Sequence, residues 1–423
     1  MPLLNPSITN ILIWLIAATA TAGVLARPFQ WPEAVWAVAG AGLLLMLGLL
    51  SPMEALRAVG EGGDVYLFLI GMMLLSEIAR REGLFDAVAA FAVNLAGGST
   101  ARLFLLIYAL GVVVTTFLSN DAAAVVLTPA VFAAARKARA PALPLLFVCA
   151  FVANAASFVL PISNPANLVL YASRTPPLAD WMKSFALPSV AAILATYGAL
   201  RWMERKALAG VCERDVEQPK LSAGGWTALI GIGVTAAALL AASSMNLQLG
   251  LPTCILGALT TGVVLIRART SPLPVLKGVS WSVLPLVAGL FVLVAGLGKT
   301  GVIAGLAEAV QQATRASPQG AAAGAGVILA LVSNLMNNLP AGLITARALA
   351  GAAPPKVVTD ALLIGVDLGP NLSITGSLAT ILWLTAIRRE GESVGFWRFL
   401  KVGAVAMPAA LVLALAVRIG LGG

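Results

Sequence analysis

Long apolar blocks separated by short polar joints are the feature that most limits what this chain can fold into. A membrane-spanning helix needs about 20 predominantly apolar residues, and the blocks of this 423-residue chain reach that length or exceed it. Only 11% of the residues are charged, against about 25% in soluble domains. The longest polar interval, 204–223, is too short for a separate soluble domain. The sequence therefore predicts an all-α polytopic membrane protein.

The composition excludes several kinds of chemistry. The chain has no histidine, which removes histidine-based hydrolase triads, histidine metal sites and a histidine proton relay. Cys149, Cys212 and Cys254 form no C-x-x-C pair, so neither a disulfide framework nor a metal finger is predicted. The net charge of +9 comes from lysine and arginine in connecting loops, so we expect no nucleic-acid partner. Carboxylates remain as proton carriers, and no cofactor is expected.

The apolar blocks predict about ten spans and two re-entrant helical hairpins. The spans lie near residues 8–26, 32–50, 64–96, 142–172, 184–203, 224–243, 249–266, 282–314, 358–387 and 396–418. The blocks 102–135 and 320–350 each carry a polar break at the middle, and backbone that turns inside the membrane is tolerated where it lines a cavity. Reading each of these two blocks as two full spans gives twelve helices instead, and this alternative stays open.

The positions of lysine and arginine predict the orientation in the membrane. With ten spans and both termini outside, most of these residues fall in inner loops, including Arg136 and Lys137 after the first hairpin and Arg205 and Lys206 in the central link. Cytoplasmic loops are enriched in such residues. Treating the polar-centred blocks as full spans leaves every loop on the same side, so the charge pattern does not distinguish ten spans from twelve.

The two halves of the chain resemble each other. A shift of 218 residues aligns Gly71 with Gly289, Gly83 with Gly301, Ser99 with Ser317, Asn120 with Asn338 and Ala123 with Ala341. Because each half has five spans, an odd number, the second half is expected to be inserted upside down. The predicted plan is a first inverted repeat 1–206 with hairpin 102–135, a cytoplasmic linker 207–223, and a second repeat 224–423 with hairpin 320–350. Inverted repeats are typical of transporters, whose substrate site lies near the membrane midplane.

Four polar clusters interrupt the apolar blocks, two at the hairpin tips and two in broken spans. A helix that ends inside the membrane leaves unpaired N–H and C=O groups that can bind a polar solute. The residues expected to bind substrate are Ser119, Asn120, Asn164, Asn167, Asn337, Asn338, Thr375, Gly376 and Ser377. The residues expected to support the helix breaks are Thr116, Asn154, Pro165, Pro340, Pro370 and Asn371. The alternative is structural, because asparagine, serine and threonine also tie membrane helices together.

Asp121 and Asp367 are the predicted proton-coupling residues, because carboxylates inside a membrane are costly and usually belong to an ion pathway. Asp121 could instead cap the second arm of the hairpin, and Asp367 could hold the backbone beside Gly369. Glu77 and Glu308 are expected to face water or a neighbouring arginine. Cys149 is interpreted as a small buried residue, although a thiol ligand for a soft metalloid is conceivable.

These motifs resemble the arsenite/antimonite efflux pump (ArsB-type) family of the ion transporter superfamily. The resemblance rests on four stretches: Leu118–Pro129, Ile162–Leu168, Asn337–Ala341 and Asp367–Thr380. It implies export of arsenite and antimonite across a bacterial inner membrane in exchange for protons, by an elevator-like movement. It also implies that some members work with a cytosolic ATPase subunit. The second tip lacks a carboxylate beside Asn338, which argues against a two-carboxylate cation site.

Three other functions remain to be weighed. A sodium/proton antiporter or an organic-anion carrier could use the same scaffold, and sodium dependence would favour the first of these. An intramembrane hydrolase could use Asp121 and Asp367 as an aspartate pair. The inverted repeat argues against the hydrolase, whereas a site without lysine or arginine near the midplane suits a neutral hydroxylated substrate.

Overall fold

The computed structural model describes residues 6–171 and 175–422, and within these ranges all regular elements are helices. In the first half they are α1 Pro6–Ala26, α2 Glu33–Met46, α3 Pro52–Glu61, α4 Gly63–Arg81, α5 Leu84–Ala96, α6 Thr100–Leu118, α7 Asn120–Ala122, α8 Thr128–Lys137, α9 Ala142–Ala155, α10 Pro165–Tyr171 and α11 Leu178–Met203. In the second half they are α12 Ala223–Ser244, α13 Gly250–Ala268, α14 Leu273–Gly278, α15 Val283–Gly298, α16 Val302–Ala316, α17 Pro318–Met336, α18 Asn338–Ala352, α19 Lys356–Leu368, α20 Leu378–Arg389 and α21 Phe396–Gly420.

Seven of the described helices are long and apolar enough to cross a membrane, or up to nine if each of two bent pairs counts as one span. The bent pairs are α3 with α4, at 49°, and α15 with α16, at 77°. The all-helical polytopic architecture is thus confirmed, whereas ten spans with two hairpins remains a prediction. The first arms of both predicted hairpins, α6 and α17, have 19 residues each. The chain termini, 1–5 and 423, lie outside the described residues.

The predicted spans 64–96 and 282–314 are each two helices in the structure. Gly83 separates α4 from α5 and Gly301 separates α15 from α16, with φ of 74° and 82°. Positive φ is a conformation that glycine adopts without the steric cost of a Cβ atom. The block 32–50 likewise forms a shorter helix than predicted, because α2 ends at Met46.

The resemblance between the halves extends to their backbone. Ser99 and Ser317 each cap a 19-residue helix with the side-chain oxygen. Each of these helices ends at a residue with positive φ, Ser119 at 98° and Asn337 at 74°. The members of each pair are 218 residues apart, so positions that the sequence shift aligns also have similar main-chain conformations.

Proline shapes the second arm of the first predicted hairpin. The short α7 continues into a π-helical turn at Ala123–Leu127 before α8 begins. Pro129 has no N–H and cannot complete a regular helical ladder, while the hydroxyl of Thr128 donates to the carbonyl of Ala123 at 3.3 Å. Such π-turns are frequent at functional sites, and this one begins two residues after Asp121.

The link between the halves packs against both ends of the first predicted hairpin. The N–H of Cys212 donates to the carbonyl of Gly98, and the N–H of Glu213 to that of Ala138, at 2.9 and 2.8 Å. Further along, Val216 exchanges two hydrogen bonds with the side chain of Asn94. This segment, predicted as a connector, therefore also holds the hairpin ends together.

Close backbone packing joins α4 to α13 and α15 to α2. A Cβ atom on Gly71 would overlap the main chain of Thr253, and one on Gly289 would lie 2.7 Å from the main chain of Ala37. Small residues permit such close approach between membrane helices. Both glycines are repeat-related, so the same packing device serves each half.

We expect Gly71→Ala and Gly289→Ala to lower the melting temperature of the detergent-purified protein, at a cost of roughly 1–3 kcal/mol from overpacking. Gly262→Ala, on α13 with open space around its Cβ position, is the matched control and should leave the melting temperature nearly unchanged. Equal melting temperatures for all three variants would contradict the close packing.

Candidate functional site

Both predicted hairpin tips and the first broken span converge on one small cavity. Its polar lining consists of Asn120, Asp121, Asn164 and Asn338, and its other lining residues are Leu69, Pro165, Val283, Leu339, Leu378 and Ala379. Its volume is about 10 Å³, at the lower limit for one water molecule. The amide-lined cavity beside Asp121 therefore has room for at most one water molecule in this conformation.

A larger cavity begins at the same carboxylate and leads to the protein surface. Asp121, Ser119 and Pro165 lie at its inner end, and Ser76 and Glu77 lie near the end of α4. Exposed Gly278 lies at its mouth. Its volume is about 60 Å³, and its middle is apolar. In the part of the chain that the structure describes, no lysine or arginine lines either cavity.

Asp121 lies in a position suited to binding a proton or a solute. It is the second residue of α7, and the N-cap of this helix is Ser119 instead. The described residues offer its carboxylate no hydrogen-bond or ion-pair partner, and it lines both cavities. The geometry does not support the capping alternative, so the carboxylate is available to a ligand.

Asp367 lies beside the site but lines neither cavity. Its side chain is fully buried, and Oδ1 accepts a hydrogen bond of 2.7 Å from Nδ2 of Asn164. Oδ2 has no hydrogen-bond partner among the described residues. Asn164 also accepts from the N–H of Ala166 at 3.0 Å. One asparagine therefore connects the buried carboxylate to the cavity that contains Asp121.

An asparagine pair joins the two broken spans. Nδ2 of Asn154 donates to Oδ1 of Asn371, and Nδ2 of Asn371 donates to the carbonyl of Phe151, both at 3.0 Å. Pro165 begins α10, and Pro370 lies in the 3-10 turn Gly369–Leu372. These four residues lie at the breaks that the sequence assigns to them.

Several predicted substrate-binding residues bond to nearby backbone instead of lining a cavity. Asn167 donates to the carbonyl of Ser157 at 2.8 Å. Asn337 accepts from the N–H of Leu339 at 3.3 Å. Ser377 caps α20 through the N–H of Thr380. Their positions are typical of residues that stabilise turns.

The remaining predicted residues stabilise the tips. The carbonyl of Gly376 accepts from the N–H of Asn338 at 2.9 Å, which ties the second broken span to the second tip. Thr375 donates to the carbonyl of Asn334 at 3.3 Å. The carbonyl of Thr116 accepts from the hydroxyl of Ser163 at 3.1 Å. Pro340 lies in the first turn of α18.

Two residues discussed in the sequence analysis have environments that the pattern does not reveal. Glu77 is buried and accepts hydrogen bonds from Arg80 and Arg81, as their spacing predicts. It also lines the larger cavity, which forms between segments about 200 residues apart and leaves no local signal. Cys149 is buried in α9, where its thiol donates to the carbonyl of Leu145 at 3.7 Å, and it lines neither cavity.

A buried charged cluster was missed altogether by sequence reasoning. Asp360 on α19 is fully buried and accepts from Nε of Arg418 at 2.8 Å and from the hydroxyl of Tyr171 at 2.6 Å. Lys356 lies 3.7 Å from the same carboxylate. The cluster joins the ends of α10, α19 and α21, and only the tertiary fold brings these together.

We expect Arg418→Met to lower the melting temperature strongly, by roughly 3–5 kcal/mol of stability, because it leaves Asp360 buried without its main partner. The double variant Asp360→Leu with Arg418→Met should regain part of the loss, since both charges are removed together. Thermal unfolding in detergent measures both effects. A double variant less stable than Arg418→Met would contradict this explanation.

Discontinuous helices that meet at an unpaired carboxylate inside a polytopic membrane protein are typical of secondary transporters. The family model described as "Citrate transporter" (CitMHS) matches residues 12–387. The chain therefore belongs to this family of the ion transporter superfamily, a family of transporters and not of enzymes.

Similar proteins bear out the class of this chain. An arsenical pump membrane protein of Escherichia coli K12 is 26% identical over 399 residues, covering 90% of this chain and 91% of the relative. An uncharacterized transporter of Mycobacterium tuberculosis is 26% identical over 370 residues, covering 84% and 85%. The YdaH transporter of Alcanivorax borkumensis has a similar fold, with a TM-score of 0.59 and 17% identity over 99% of both chains.

Proposed function

We propose that this protein exports arsenite and antimonite from the cytoplasm in exchange for protons. The observation that carries the proposal is the charge of the site: among the described residues, Asp121 lines both cavities without an ion-pair partner, and no lysine or arginine lines either cavity. Such a lining repels anions and suits a neutral hydroxide together with a proton. The name of the Escherichia coli relative, an arsenical pump membrane protein, supports an arsenical as the solute.

The proposed coupling is a competition at Asp121. In the proton-bound state the carboxyl group is neutral and the cargo is absent. In the cargo-bound state the amides of Asn120, Asn164 and Asn338 hydrogen-bond the hydroxyl groups of the solute while Asp121 is ionised. Asp367, held by Asn164, is the second candidate proton carrier because its Oδ2 has no partner among the described atoms. Binding that excludes a proton is what an antiporter requires.

We further propose that the halves are inverted repeats of five spans, each with one re-entrant hairpin, and that both termini face outside. The matching main-chain landmarks 218 residues apart support the repeat, and the positive loops support the orientation. In this orientation the larger cavity opens at the cytoplasmic end of α4. The described conformation would then be the one that loads cargo, and an elevator-like movement of hairpins and broken spans would carry it outward.

Arsenite uptake into everted membrane vesicles tests the proposal. With an imposed pH gradient and without ATP or sodium, we expect the wild-type protein to accumulate arsenite. Asp121→Asn should reduce gradient-driven uptake at least tenfold, because the site can no longer exchange a proton. Uptake is measured as vesicle-associated arsenic over time.

The matched control is Glu308→Gln, which neutralises an exposed carboxylate that lines neither cavity. We expect its uptake to equal that of the wild type. Absence of arsenite movement in the wild type, together with a sodium-dependent change in internal pH, would instead establish a cation antiporter.

An organic-anion carrier is the second candidate, because the matching family model is described as "Citrate transporter". The acidic lining argues against it, since a multiply charged anion needs cationic partners when it leaves water. We therefore expect a tenfold excess of citrate neither to inhibit arsenite uptake nor to be transported itself. Radiolabelled citrate uptake in the same vesicles measures this, and saturable citrate accumulation would favour the anion carrier.

A further inference from the structure

A charged crevice lies where the second predicted hairpin meets α3 and α15. It is formed by the charged residues Glu54, Arg57, Glu61, Lys299 and Arg347, together with Leu50, Ala58, Ala295, Gly298, Ile303, Ala304, Ala307 and Gly351. None of these residues belongs to the cavities around Asp121. In the proposed orientation the crevice faces the outside.

Two ion pairs cross this crevice, and they join different elements. Arg347 on α18 pairs with Glu61, the last residue of α3, at 2.6 Å. Lys299, directly after α15, pairs with Glu54 at 2.8 Å. Because α3 packs on α15, the Lys299 pair stays within one packed unit. The Arg347 pair instead ties the second arm of the hairpin to that unit.

The repeat-related positions in the other half are uncharged. Shifted by 218 residues, Glu61 corresponds to Val279 and Arg347 corresponds to Pro129. Val279 lines the larger cavity that leads to Asp121, so this uncharged position lies on the side where the cavity opens. The charged contact is on the side where neither cavity around Asp121 opens: Val294 there is 2% exposed and lines neither cavity, whereas its counterpart Ser76, which is also buried, lines the larger cavity.

We propose that the Glu61–Arg347 ion pair is an outer latch that sets which side of the transporter is open at rest. This inference rests on the proposed alternating-access function. The latch joins the second hairpin to α3 when the site faces the cytoplasm, and it breaks when the hairpin moves and the outer side opens. An interaction that forms in only one of two states stabilises that state relative to the other by the free energy of the interaction.

An inward-facing resting state suits an exporter, because the empty site then faces the cytoplasm, where cargo binds. The side chains of Arg347 and Glu61 are 28% and 56% exposed, and partly exposed ion pairs have modest strength. We therefore expect loss of the latch to change the ratio of outward- to inward-facing protein roughly two- to fivefold. The ion pair therefore favours the inward-facing state without preventing the outward-facing one.

Cysteine labelling measures this ratio without any substrate. In a chain with Cys149→Ala, Cys212→Ser and Cys254→Ser, one reporter is added per protein: Val294→Cys for the outer side or Ser76→Cys for the inner side. A membrane-impermeant maleimide is applied to right-side-out or everted vesicles. Arg347→Gln should raise the labelling rate of Val294→Cys roughly two- to fivefold and lower that of Ser76→Cys.

Lys299→Gln is the matched control, because it breaks an ion pair of similar length and exposure within the packed unit, and it should leave both rates unchanged. The charge exchange Glu61→Arg with Arg347→Glu should restore the wild-type rates. Unchanged labelling in Arg347→Gln, or an equal change in Lys299→Gln, would overturn the latch. Since labelling needs no cargo, a negative arsenite uptake assay would refute the proposed substrate and leave this result interpretable.

Discussion

Backbone N–H and C=O groups in the membrane interior must find partners inside the protein, because hydrocarbon offers none. Unbroken helices meet this requirement within themselves, whereas the breaks after α9 and α19 do not. Here asparagine side chains do so instead: Asn167 donates to the carbonyl of Ser157, and Asn371 donates to the carbonyl of Phe151. Part of the polar site therefore serves to satisfy the main chain, and the cargo recognition proposed above uses groups that remain unpaired.

Two carboxyl groups near the small cavity keep oxygen atoms without a partner in the part of the chain that the structure describes. Asp121 has no partner among the described residues, and Asp367 has one oxygen bonded to Asn164 and one without a partner. A carboxylate without a partner is costly in a membrane protein, and the chain retains two near one small cavity. Asp360 differs from both, because its buried carboxylate forms an ion pair with Arg418.

Much of the site could be predicted because its signals are local. A polar cluster in an apolar block, such as Ser119-Asn120-Asp121, is visible in the sequence, and the 218-residue shift identifies its counterpart. The structure brings Asn120, Asp121, Asn164 and Asn338 to one cavity. Which polar residues bond to the main chain could not be predicted, because Asn167 and Asn164 occupy the same motif and differ only in what their side chains meet.

The sequence by itself determined that this is a helical membrane protein, where the four polar clusters interrupt it and that Asp121 and Asp367 lie within them, because hydropathy and helix breakers act over neighbouring residues. Only the tertiary structure decided that Glu77 joins the cavity, that Asp360 meets Arg418 and that Arg347 meets Glu61. Those contacts join positions 58 to 286 residues apart. No periodicity of the chain encodes them, because they depend on how distant helices pack against one another.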